Sequence, residues 1–220
     1  MNKNTGKTEK SGRKLIYNRK TFSIQEKKTI YIYCGGKNTE PSYFRKFRLA
    51  NVTISYDGKD PLTLTRQLIK LKKDFDFDEY WIVFDKDEFS DNDFNLAFQL
   101  ALRNKINVAY SNQAFEYWLL LHFLDHNGSK LDRTDYGPKI TKFLSRMGVE
   151  YDYKGTKLIS ESFFEILDSI DPGTGEIRVS QAIERAKKII DKFDHNNPAQ
   201  KESSTTVFLL VEELLKYRER

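Results

Sequence analysis

Two carboxylates stand one residue apart in Asp85-Lys86-Asp87, directly behind the apolar run Tyr80, Trp81, Ile82, Val83, Phe84. Alternate residues of an extended segment point to the same side, so both side chains can converge on one cation. Mg2+ and Mn2+ take oxygen ligands and keep several waters, so two or three carboxylates suffice. Asp-x-Asp by itself is also what a polar loop contains. The apolar strand in front of it tips the balance toward a metal site, because ligands of open parallel sheets gather at the carboxyl ends of strands.

Two further clusters follow apolar runs in the same way. Cys34-Gly35-Gly36-Lys37-Asn38-Thr39-Glu40-Pro41 combines glycines, which allow close backbone approach, with a helix start at Pro41. Glu40 is either a metal ligand or general base, or a first-turn glutamate that complements the helix dipole. A P-loop is excluded by the spacing and by the missing Gly-Lys-Ser/Thr ending. Ser111-Asn112-Gln113-Ala114-Phe115-Glu116 places Asn112 and Glu116 four residues apart, which a helix would bring together. They either orient a water or second metal, or serve as helix cap and early-turn acid. Lys37, Lys86, Asn112 and Lys154 are candidate nucleic-acid contacts, although an exposed lysine more often holds nothing.

Other polar residues read as structure. His122 lies among apolar residues and suits a core histidine; His126 and His195 lack metal-ligand spacing. Phe115, Trp118, Leu119 and Leu121 read as core. Cys34, the single cysteine, reads as a small buried hydrophobe and excludes an internal disulfide. Residues 203–206 (Ser-Ser-Thr-Thr) read as the cap of a last helix.

The segments that must position these groups alternate. Residues 29–34, 52–56, 80–84 and 106–110 are β-branched, aromatic or apolar and predict strands. Residues 41–50, 61–73, 91–104 and 114–124 predict the intervening helices. This is the pattern of an α/β fold with a mainly parallel sheet flanked by helices. Past residue 127 the strand signal fades, and residues 136–147, 160–170, 179–193 and 203–217 predict a helical C-terminal half. The expected organisation is a disordered basic tail over residues 1–12, an α/β core over 13–127, and a helical extension over 128–220 packed on it as one compact unit.

The net charge of +5 is concentrated at the start of the chain. Residues 1–28 hold nine Lys or Arg against two Glu, leaving the remainder slightly acidic. Such an arm suits an anionic partner such as nucleic acid, or is simply a solvated tail. No apolar run is long enough for a membrane helix and no secretory signal is legible, so a cytoplasmic protein is expected.

Taken in order, these motifs resemble the RloB-like family. Ile30-Tyr31-Ile32-Tyr33-Cys34 with Gly36 and Thr39-Glu40-Pro41-Ser42-Tyr43-Phe44 is similar to its opening motif. Trp81 to Asp87 resembles the second, and Ser111-Asn112 with Phe115 to Phe123 the third. Ser204-Thr205-Thr206-Val207 with Leu210 to Leu214 resembles the closing helix. The resemblance implies a Toprim-like core, the module of topoisomerases, primases and certain nucleases. It implies metal-dependent cleavage of RNA or DNA, with RNA slightly favoured, in bacterial anti-phage or abortive-infection defence, beside an ATPase partner protein. A homo-oligomer is compatible with it. On this resemblance Asp85 and Asp87 bind Mg2+ or Mn2+, while Glu40 and Glu116 assist catalysis. One position departs: Gly35 stands where the family pattern has Glu, a general acid/base or metal ligand. An engineered inactive variant accounts for this best; a naturally degenerate subunit and replacement by Glu40 are the alternatives. The alternative function is a non-catalytic Toprim-like subunit that binds nucleic acid or the ATPase.

Overall fold

The apolar runs pair into a five-stranded sheet of order β2-β1-β3-β4-β5. The strands are β1 (Ile30–Cys34), β2 (Val52–Tyr56), β3 (Glu79–Asp85), β4 (Asn107–Asn112) and β5 (Ser204–Thr205). The first four are parallel and the short β5 runs antiparallel to β4. The computed structural model describes residues 27–193, 197–200 and 202–218. The expected tail over residues 1–12 and His195 lie outside the described residues.

Parallel strands need crossovers, and helices supply them. They are α1 (Thr39–Arg45), α2 (Pro61–Leu71), α3 (Asp91–Arg103) and α4 (Glu116–Leu120), followed by α5 (Tyr136–Ser145), α6 (Glu161–Leu167), α7 (Arg178–Ile190) and α8 (Val207–Leu215). Local chemistry sets several starts. Asp60 caps α2 by accepting from the Thr63 N–H at 2.8 Å, with Pro61 preset at the first position. Ser90 caps α3 and Ser160 caps α6 in the same manner, each at 3.1 Å.

Strand alternation divides the interior into two layers. Tyr31, Tyr33, Ile82, Phe84 and Tyr110 face α2 and α3. Ile30, Ile32, Cys34, Trp81, Val83 and Ala109 face the other side, where α1 and α4 to α8 pack. This second core draws on residues before and after 127 alike, so the helical half and the α/β half share it. His122 is fully buried there; its Nδ1 lies 3.0 Å from the Trp118 carbonyl, and burial lowers its pKa to about 3, so it is neutral.

The C-terminal half corrects one expectation. The last helix does not start at residue 203: Ser204 and Thr205 form β5, and α8 begins only at Val207, with Thr206 at the N-cap position but making no side-chain cap bond, while the Thr205 hydroxyl accepts from the Val207 N–H at 3.2 Å. Thr205 pairs with Ser111 and Ser204 with Asn112. The Thr205 hydroxyl donates to the Tyr110 carbonyl at 2.9 Å, and the Thr206 hydroxyl accepts from the Tyr110 N–H at 2.9 Å. The hydroxyls that have the composition of a cap are mainly engaged with a strand partner 95 and 96 residues away.

Candidate metal and catalytic site

Because β1, β3 and β4 are parallel, their carboxyl ends lie on one edge of the sheet. Asp85 ends β3 directly opposite Ser111 of β4, and Cys34 of β1 lies opposite Val83. A cavity of about 540 Å³ opens at this edge, lined among others by Gly35, Lys37, Glu40, Asp85, Asp87 and Glu116. The three clusters read from the sequence therefore meet in one place.

Glu40 sits in the first turn of α1 and is 4% exposed. Its carboxylate folds back over Gly36, whose N–H donates to it at 3.0 Å. A Cβ on Gly36 would lie 2.1 Å from that carboxylate, so this closure needs a glycine. Burial, reinforced by the charge of Glu116, pushes the Glu40 carboxyl up to about 7 against the lowering pull of backbone N–H groups and Lys157. Asp85 has one carboxylate oxygen enclosed by protein with no hydrogen-bond partner. Burial first, then the charges of Glu40 and Glu116, hold its carboxyl well above the usual range, while the Phe115 N–H and Arg133 pull the other way. Glu116 is buried at the start of α4; its carboxylate meets the Lys157 ammonium at 2.9 Å and the Tyr151 hydroxyl at 3.4 Å.

Asp87 reaches the cavity by a route the sequence does not indicate. The residue is left-handed, with φ of 44°, so the extended i to i+2 geometry fails after Asp85. Its N–H donates to the Gln113 carbonyl at 2.9 Å, and its carboxylate forms an ion pair with Arg133. Asn112 and Glu116 are likewise not one helical turn apart, since Asn112 closes β4 and Glu116 opens α4. Asn112 is 2% exposed and its amide donates to the Ala199 carbonyl at 2.7 Å and the Pro198 carbonyl at 3.3 Å. That side chain braces the fold instead of facing the cavity. Lys86 is also turned away, its ammonium bound to the Phe89 carbonyl and 3.2 Å from Asp91. Lys37 lines the cavity, and Lys154 lines a neighbouring one.

Gly35 lies on the cavity wall, its N–H donating to the Val83 carbonyl at 2.8 Å. A Cβ there would meet only ordinary contacts, the nearest being the Val83 carbonyl at 3.4 Å and Leu64 at 3.5 Å. The backbone thus has room for a Cβ at this position.

Arg133 and Lys157 are site residues that sequence reasoning misses. Arg133 opens a short 3-10 turn before α5 and Lys157 lies in the loop before α6, and each neutralises one acid of the cavity. No local pattern marks them, because their partners lie 46 and 41 residues away by number.

The donor set is oxygen only and suits a hard divalent cation. The enclosed, unpartnered Asp85 oxygen is the kind of atom such an ion satisfies. As placed, no three His, Cys, Asp or Glu among the described residues close on a single point. Mg2+ tolerates this, since it is commonly held by one or two carboxylates plus waters.

Fold and site together define an α/β protein with an acidic cavity at the carboxyl edge of a mainly parallel sheet. The chain belongs to the RloB-like protein family, which it matches over residues 30–214. Neither a curated protein nor a solved structure matches it.

Proposed function

We propose that this protein carries the site of a metal-dependent, Toprim-type nuclease, impaired here by glycine at position 35. The observation that carries the reading is the meeting of Glu40, Asp85 and Glu116 in one cavity, with an Asp85 oxygen enclosed and unpartnered. Buried like-charged carboxylates are costly to a fold and cluster at functional sites. Asp85 and Asp87 would hold Mg2+ or Mn2+, with Glu116 beside them. Such an ion, when bound, polarises a phosphodiester and lowers the pKa of water.

The chain's own residues do the rest. Glu40, pushed up to about 7, is poised to hold or release a proton at neutral pH. Arg133 and Lys157, released from Asp87 and Glu116 when those acids find another cation, are placed to bind phosphate oxygens. Glutamate at position 35 would add a second proton carrier to the cavity lining. A role in bacterial defence beside an ATPase partner, with RNA favoured over DNA, follows from the family resemblance and belongs to the same proposal.

The test is cleavage of pooled RNA and DNA with Mg2+ or Mn2+ by this chain and by Gly35→Glu. The variant is expected to cut roughly 100- to 10,000-fold faster. If neither protein cuts, with or without an ATPase partner, the second reading takes precedence. In that reading the chain is a non-catalytic subunit that binds nucleic acid or the ATPase, and the two ion pairs that already cap Asp87 and Glu116 are its resting state.

A further inference from the structure

A second cavity, of about 440 Å³, adjoins the acidic one and shares its wall of Glu116, Arg133 and Lys157. Its aromatic lining is Tyr153, which is half-buried. The ring rests on the bare backbone of Gly137 in the first turn of α5: a Cβ there would lie 2.2 Å from it. The missing side chain at Gly137 thus makes room for the ring. Over the ring, the exposed Lys154 ammonium stands 5.6 Å from the centroid, a loose contact that an incoming base would displace toward its phosphate. Arg133 and Lys157 are already paired with Asp87 and Glu116, whereas Lys154 makes no ion pair among the described residues. The cavity therefore joins an aromatic ring to a cation that forms no ion pair among the described residues, next to a cluster of carboxylates.

We propose that this second cavity is a nucleotide subsite. It takes one unpaired base against Tyr153 and the adjoining phosphate on Lys154, so that the next linkage of the strand lies over Glu40, Asp85 and Glu116. Aromatic platforms with flanking cations are how single strands are held without sequence readout. A paired base cannot offer its face to the ring without leaving its stack. The volume lies in the range of small-ligand sites and is too small for a stacked duplex. The inference rests on the nuclease reading of the neighbouring cavity, and it narrows the substrate class to single-stranded or locally unpaired nucleic acid.

The experiment is fluorescence anisotropy of the full chain with labelled oligo(U), oligo(dT) and a duplex, each of about 12 nucleotides per strand. It is run in EDTA and again in Ca2+, without cleavage as a readout. Single strands are expected to bind more tightly than the duplex, and the two homopolymers separate RNA from DNA as the source. Tyr153→Ala should weaken binding about 5- to 100-fold, and Tyr153→Phe should restore it. Tyr153→Leu keeps the contact with Gly137 without a π face and should behave like the alanine variant. Lys154→Ala should weaken binding and reduce the salt slope by about 1. Binding that is unchanged in both the Tyr153→Ala and Lys154→Ala proteins, or equally tight for the duplex, or absent in both buffers, overturns the proposal. The two readings fail separately. Tyr153-dependent binding with no cleavage by Gly35→Glu leaves the subsite standing and removes the nuclease. Cleavage by Gly35→Glu with Tyr153-independent binding does the reverse.

Discussion

Two adjacent stretches of the same sheet edge bury polar groups in opposite ways. At the end of β4, Ser111 is 1% exposed and Asn112 2%, and both are hydrogen-bonded: Ser111 to Thr205 and Asn112 to the carbonyls of residues 198 and 199. One strand away, at the end of β3, an Asp85 oxygen is enclosed with no partner, facing the charges of Glu40 and Glu116. Satisfied burial stabilises a fold and specifies its register. Unsatisfied burial of like charges works against it, and persists where a ligand will supply the missing partner. By this contrast β4 and β5 are scaffold, and the cavity beside them is the candidate site.

The contrast is breakable by substitution. The largest effect on stability is expected from Asn112→Ala, which deprives the Pro198 and Ala199 carbonyls of their donor and leaves a hole. A loss of about 2–4 kcal/mol in denaturant unfolding is expected, with the divalent-ion response retained. If the loss is negligible, the two regions do not differ as described.

Asp85→Asn should do the opposite. Removing a charge that the fold resists burying is expected to stabilise the metal-free protein at pH 8 by about 1–2 kcal/mol. The same change should abolish the rise in melting temperature that Mg2+ or Mn2+ is expected to give the unaltered chain. A variant that is less stable, and still responds to metal, would place Asp85 with the scaffold.

The smallest and most diagnostic effect concerns Glu40. Its carboxyl rises from an ordinary 4.5 to about 7 on folding, so the folded state favours the protonated form. That contribution is fully present below pH 4.5 and is lost as pH climbs through about 7. Glu40→Gln is expected to flatten this decline and to gain about 1 kcal/mol at pH 8 relative to the unaltered chain. Parallel pH profiles for the two proteins would show that Glu40 is not held above its ordinary range.

The sequence makes one of these regions far more legible than the other. Asp85, Asp87, Glu40 and Glu116 each follow an apolar run, and parallel strands must deliver their ends to one edge, so the residue order alone brings the acids together. Their roles are harder to read. The left-handed backbone at Asp87 is set by its bond to Gln113, and no residue near it in the chain reports that contact. Arg133 and Lys157 are invisible for the same reason: an ion pair across the fold leaves no periodicity. The scaffold side misleads outright. A strand of two residues, Ser204–Thr205, has no apolar alternation to betray it, and hydroxyls beside an apolar helix have the composition of a cap. Asn112 resembles a site residue because it sits at a strand end beside acids; only its carbonyl partners show otherwise.

The pairing of β5 with β4 also carries a timetable. Ser111 and Thr205 are separated by 94 residues, so a ribosome working at roughly 5–20 residues per second makes the second some 5–20 s after the first. During that interval β4 is paired with β3 alone, and the Ser111 hydroxyl and Asn112 amide lack their partners in Thr205, Pro198 and Ala199. The acidic edge is therefore expected to become fully ordered only after β5 has emerged. A cell making this protein would hold an unfinished edge for the length of that interval.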